Sequence, residues 1–142
     1  MTGLAFFDTN VLIYADDDKS PSKQARADSL IEEHQADDAL VVSLQVLQEY
    51  FAAATRKLKV DPAIAQAKVE ILASGNVVRF TERDVIAAIE LHRLHKISFW
   101  DAMIVHAARI SNATVLYTED LAHGSSIAGV PVRNPFAGSE AT

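Results

Sequence analysis

The 142-residue chain contains no cysteine, which excludes a disulfide framework and any thiolate metal site and suits a reducing compartment. It has no apolar run near the roughly 20 residues of a membrane span, and no basic amino-terminal region of the kind that opens a secretory signal. The sequence therefore predicts a soluble, cytoplasmic protein with no membrane partner. Positive charge is also scarce. Thirteen Lys and Arg against 19 Asp and Glu leave a net charge of -6, which argues against holding nucleic acid by bulk electrostatics. If several acids converged on divalent cations, two such ions would offset most of that charge and could themselves meet phosphate. The length suits one domain, assigned to residues 1–137, able to bury roughly two thirds of its unfolded surface. The tail 138–142 is expected to fray.

What is present alternates between short apolar runs and helical patterns. Leu4-Ala5-Phe6-Phe7 reads as a buried strand that stops on Asp8-Thr9-Asn10, and an acid at a strand's carboxyl end is a site candidate in an open α/β sheet. Asp8 and Asn10 are equally good turn and helix-cap residues. Asp16-Asp17-Asp18 reads as a solvated loop, since the spacing, glycine and closing glutamate of a calcium loop are missing. Ser20-Pro21 starts a helix with Ala25, Leu30 and Ile31 as its apolar stripe. Leu40-Val41-Val42 is a second strand, after which Ser43 caps a helix to about Lys57 that carries Glu49 among apolar neighbours. Asp61-Pro62 opens another helix, predicted to close at Gly75 in the left-handed conformation.

Val77 to Phe80 is a third strand. Thr81-Glu82-Arg83-Asp84 has the form of a capping box, with Val85, Ile86, Ile89 and Leu91 or Leu94 predicted to face inward. The pair His92 and His95 reads as part of an exposed basic face, for want of a third ligand nearby. Ser98-Phe99-Trp100-Asp101 opens the next helix, and Ser98 with Asp101 is itself capping-box spacing. Thr114 to Tyr117 is a fourth strand ending in Glu119-Asp120, and Val130 to Arg133 a fifth. The fold class is thus α/β, a three-layer α/β/α domain with a five-stranded, mainly parallel sheet.

If strands one and four are neighbours where strand order reverses, Asp8 and Asp120 face one crevice, and Glu49 and Asp101 can join them. Like charges that close raise one another's pKa or require a cation. Oxygen-only ligation selects hard ions, Mg²⁺ or Mn²⁺, and the chemistry that uses them is phosphodiester hydrolysis. Lys23, Arg26, Arg56, Lys57 and Lys59 are the cations nearest in sequence for gripping flanking phosphates. A haloacid-dehalogenase-type phosphatase would need a second Asp where the chain has Asn10, and a receiver module a phospho-acceptor Asp where it has Thr81. Both are disfavoured.

Asp8-Thr9-Asn10, Gln48-Glu49-Tyr50-Phe51, Ser98-Phe99-Trp100-Asp101-Ala102-Met103-Ile104 and Thr118-Glu119-Asp120, in this order, resemble the PIN domain over nearly the whole chain. A single-domain PIN protein of this length is similar to VapC-type ribonuclease toxins of toxin–antitoxin pairs. The resemblance implies that Asp8, Glu49, Asp101 and Asp120 are catalytic, metal-binding acids. It implies that Thr9, Asn10 and Thr118 hold carboxylates and waters, while Glu119 points away into solvent. It further implies an RNA substrate, a small VapB-type antitoxin and a homodimer. A housekeeping PIN nuclease, or a PIN module that captures RNA or a partner without cutting, would share these residues.

Overall fold

The computed structural model describes residues 3–138; the expected tail lies, beyond Gly138, outside them. The elements run β1 (Ala5–Phe7), α1 (Thr9–Tyr14), α2 (Pro21–Ala36), β2 (Leu40–Ser43), α3 (Leu44–Arg56) and α4 (Pro62–Ala73). They continue with β3 (Asn76–Val78), α5 (Glu82–His95), α6 (Phe99–Ile110), β4 (Val115–Tyr117), β5 (Ser126–Ile127) and β6 (Val130–Arg133). The sheet has the order β3-β2-β1-β4-β6-β5. All its pairings are parallel except β5 with β6. It is an α/β fold with helices flanking a mostly parallel sheet, as the alternation predicts.

The sixth strand, absent from the sequence reading, is a two-residue piece closed onto β6 by Ala128 and Gly129. Both have positive φ, 51° and 81°, as a type I′ hairpin turn requires. An alanine at the first of these positions gives none of the Asn-Gly signal by which such hairpins are read.

The core is built on strands buried on both faces. Ala5, Phe6, Phe7, Val41, Val42 and Leu116 are all buried, and the apolar runs lack alternation for that reason. Burial of each large side chain contributes about 1.5–3 kcal/mol. On α2 the buried alanine is Ala27, not Ala25, alongside Leu30 and Ile31. α5 departs further from its pattern: Ala88 and Leu91 are buried, while Ile86, Ile89 and Leu94 are 55%, 42% and 74% exposed. Its small residue is on the buried side, and the branched ones face out. Gly75 does not take the left-handed conformation; α4 closes instead through Ser74, whose backbone N–H donates to Glu70 and Ile71 carbonyls. Asp16 is not a loop acid in solvent, because the Tyr50 hydroxyl and Lys68 Nζ (3.0 Å) both bind its carboxylate.

The arrangement that matters for the site is β1 beside β4. The chain runs from β1 outward through β2 to β3, then returns to place β4 on the other side of β1. Strand order reverses there, and the carboxyl ends of β1 and β4 open onto one crevice. Asp8 leaves β1 with its backbone N–H bonded to the Tyr117 carbonyl of β4 (3.0 Å).

Candidate active site

Asp8 combines two tasks. It is the N-cap of α1, its Oδ1 accepting from the Thr9 N–H at 2.7 Å, so the capping reading of the sequence is correct. Its Oδ2 accepts from the Thr118 hydroxyl at 2.8 Å, and that bond turns the carboxylate toward β4. Thr118, itself buried, also accepts from the Asp120 N–H at 3.1 Å, tying the two strand ends through one oxygen. Asn10, two residues into α1, spreads its Nδ2 over Asp120 Oδ2 (3.0 Å), Thr118 Oγ1 (3.3 Å) and Asp8 Oδ2 (3.4 Å).

Asp101 enters from the first turn of α6, where Ser98 is the N-cap and its Oγ accepts from the Asp101 N–H at 3.0 Å. The Asp101 carboxylate lines the crevice beside Asp8 and Asp120. Oxygen atoms of Asp8, Asp101 and Asp120 lie within 4.8 Å of one another. Glu49, on α3, lines the same cleft of about 700 Å³ but is outside this cluster. It is held at the rim by the Thr9 hydroxyl (2.8 Å) and Gln45 Nε2 (3.4 Å).

Burial dominates the electrostatics. Asp8 is 6% exposed, and loss of hydration pushes its carboxyl from 3.8 up to about 7. Hydrogen bonds from Thr118 and Thr9 pull the other way, while the charges of Asp120 and Glu49 add to the rise. The Asp101 carboxyl is raised as well, first by burial and then by Asp120 and Glu49, against the Ser98 hydrogen bond. No basic side chain bonds any of the three clustered acids among the hydrogen bonds and ion pairs of the described residues. Three converging carboxylates with neutral donors behind them fit a hard divalent cation, since cation charge removes the repulsion and the desolvation cost together. With no sulfur or imidazole donor in the cluster, softer metals are disfavoured.

Other cleft residues fall into two groups. Arg56 and Lys57 line it, as do Ile13, Leu58, Ile104 and Trp100; Lys59 does not, and Arg26 bonds the Pro135 carbonyl through Nε at 3.2 Å. Glu119 is not solvated as expected. Its carboxylate accepts from Tyr14 Oη (2.8 Å) and pairs with Lys23 Nζ (3.2 Å), and Lys23 also sits 4.6 Å from the Tyr14 ring centroid. This cluster anchors the loop that carries Asp120 to α1 and α2. Gln45, Tyr14 and Lys23 were not singled out from sequence as supports of the site, because polar residues on helices carry no local mark of what they will meet.

The fold and cleft define an α/β protein with a cluster of acids at the strand-order reversal, suited to a divalent cation. The PIN domain family model matches residues 5–124, and the chain belongs to the PIN domain family. No curated protein matches the sequence. Among solved structures, a toxin–antitoxin complex from Klebsiella pneumoniae is similar at TM-score 0.65 and 22% identity, covering 92% of this chain and 97% of that one. DNA-bound VapBC from Salmonella typhimurium gives 0.65 and 20%, covering 94% and 99%. VapC20 of Mycobacterium tuberculosis, a sarcin–ricin-loop-cleaving toxin, gives 0.61 and 20%, covering 82% and 89%. No helix among the described residues is long and apolar enough to cross a membrane.

Proposed function

We propose that this PIN domain is a divalent-metal-dependent endoribonuclease and the toxin of a VapBC-type pair. The observation that carries the reading is the convergence of Asp8, Asp101 and Asp120 within 4.8 Å at the reversal of strand order. These three acids would hold Mg²⁺ or Mn²⁺. When bound, such an ion polarises a phosphate oxygen, lowers the pKa of water and stabilises the leaving oxygen. The chain's own groups do the positioning. Thr118 and Asn10 fix the orientation of Asp8 and Asp120 with hydroxyl and amide donors, so little reorganisation is needed on loading. Glu49 uses one lone pair on each oxygen for Thr9 and Gln45 and keeps others for orienting a water at the rim. Arg56 and Lys57, in the same cleft, meet phosphates flanking the scissile one.

Partners follow from surface and likeness. The structures similar to this chain include toxin–antitoxin complexes, which supports a small antitoxin that covers the cleft. The outward Val85, Ile86 and Ile89 of α5, with Leu44 and Phe51 of α3, supply apolar surface for a second copy. The test is cleavage of a single-stranded oligoribonucleotide by chelator-stripped protein. Activity should be absent, return with Mg²⁺ or Mn²⁺, and be missing from Asp8→Asn prepared in the same way. Cleavage that survives chelation, or an Asp8→Asn preparation as active as the native protein, would overturn the reading.

A further inference from the structure

The cleft wall beside the acids is apolar, and its largest element is an exposed indole. Trp100 lines the cleft, is 62% exposed, and directly precedes Asp101 on the first turn of α6. The Phe99 ring stands against it edge to face, centroids 5.2 Å apart and planes at 66°, which steadies the indole. Most of its surface is left to the cleft and to solvent. Burial of such a ring in the core would be favourable by several kcal/mol, so a fold that leaves it out at the mouth of its site has not used it for stability.

We propose that Trp100 is a stacking platform for one unpaired nucleobase of the RNA, beside the phosphate presented to the acids. The proposal deepens the ribonuclease reading and rests on it. Stacking on an indole recognises the π-face common to all bases and involves no charge, which suits a chain of net charge -6. Arg56 and Lys57 in the same cleft hold backbone, and the indole adds the base contact they cannot make. Trp100 and Asp101 line the same cleft, so the platform serves a nucleotide next to the bond presented to Asp101. Bases inside a duplex are stacked on each other and present no free face, and the shallow A-form minor groove shows a protein only their edges. The substrate class is therefore RNA in which this nucleotide is unpaired, in a loop, bulge or single strand. Trp100 is a binding residue, with no group that titrates or transfers a proton.

Trp100 is the chain's single tryptophan, so indole emission, excited at the red edge where tyrosine does not absorb, reports on this ring alone. Asp8→Asn protein in Mg²⁺, titrated with a single-stranded oligoribonucleotide, should show saturable quenching. The blunt duplex of the same sequence should quench weakly or not at all. In cleavage assays Trp100→Ala should raise KM roughly fivefold to a hundredfold, the range of one base–aromatic stack, with kcat within about twofold. Trp100→Phe should restore most of the affinity, and both variants should melt like the native protein. Unchanged emission while labelled RNA demonstrably binds, or an unchanged KM in Trp100→Ala, would overturn the platform and leave the nuclease reading standing. A Trp100→Ala variant that changes oligomeric state would also overturn it, by assigning the ring to a contact between copies. If the native protein neither binds nor cuts RNA with metal present, the ribonuclease reading itself falls.

Discussion

Asp8 and Asp84 both sit in the first turn of a helix or at its cap, and the fold moves their carboxyls in opposite directions. Asp84, between α5 and α6, is held below the usual carboxylate range, first by the Thr81 N–H (2.9 Å) and then by His106 Nε2 (2.9 Å). Arg109 occupies the other ring nitrogen of His106 at 2.7 Å, which leaves the proton on Nε2 facing Asp84. Asp16 and Glu119 are treated alike, each receiving a tyrosine hydroxyl and a lysine. The cleft acids differ: their supports are the amides and hydroxyls of Thr9, Asn10 and Thr118, and Asp8 is pushed up to about 7. Asp16 and Glu119 each meet a lysine, and Asp84 an imidazole backed by Arg109, whereas the cleft acids are oriented by hydroxyls and amides with no basic side chain behind them among the hydrogen bonds and ion pairs of the described residues. That contrast separates the carboxylates matched within the scaffold from those assigned to the proposed cation.

The sharpest way to break the comparison is to remove one carboxylate from each side. Asp8→Asn should lose cleavage by at least about a thousandfold while gaining stability in chelator. The rise from 3.8 to about 7 corresponds to at most about 4 kcal/mol at neutral pH; with roughly half recovered by the amide, melting should rise by about 5 °C. Asp84→Asn should lower the melting temperature and leave metal dependence intact. If Asp8→Asn unfolds the protein, the cleft acid is a structural cap and the contrast fails.

The pH dependence carries the same contrast in sign. Asp8 ionises near 3.8 when unfolded and near 7 when folded, so its burial weakens the metal-free fold as pH climbs through that window, and the loss levels off above it. Asp101 adds in the same direction. Asp84, with its folded value depressed, contributes above the ordinary carboxyl range and loses that contribution as pH falls through its folded value. The decline of melting temperature in chelator between about pH 4 and 7 should therefore shrink in Asp8→Asn to the share left by Asp101, and the acid-side weakening should shrink in Asp84→Asn.

Smaller effects test the supports. Thr118→Val keeps the volume but removes the oxygen shared by Asp8, Asn10 and the Asp120 N–H. Mn²⁺ affinity measured by calorimetry should fall roughly 10- to 100-fold; unchanged affinity would show that the carboxylates hold position without it. At the bottom of the scale, Arg56→Gln and Lys57→Gln should each reduce the salt slope of RNA binding by about 0.7, the single-strand value per phosphate contact. Lys59→Gln, outside the cleft, should not change it.

Much of this plan was legible in sequence because the determinants are local. An apolar run too short for a helix, a carboxylate that ends it, a serine or aspartate that opens the next helix: each is set by neighbours a few residues away, and Asp8, Asp101 and Asp120 carry such marks, whereas Glu49, in the middle of α3, carries none and gains its role from the family resemblance. Facing was not legible. A stripe of Val85, Ile86 and Ile89 says that one side of α5 is apolar, but the side that meets the core is the one carrying Ala88 and Leu91. Nor was partnership: Glu119 and Asp120 are neighbours with the same chemistry, yet one meets Tyr14 and Lys23 and the other Asn10. The sequence alone determined the alternation of strands and helices and the acids at their ends, because hydrophobic period and capping act over a single turn. Only the tertiary structure decided that three of those acids converge while Glu49 stays at the rim and Asp84 and Glu119 find His106 and Lys23 as partners. Coulombic repulsion and desolvation depend on distances between residues far apart in the chain, Asp8 and Asp120 above all, and those are set by placing β4 beside β1.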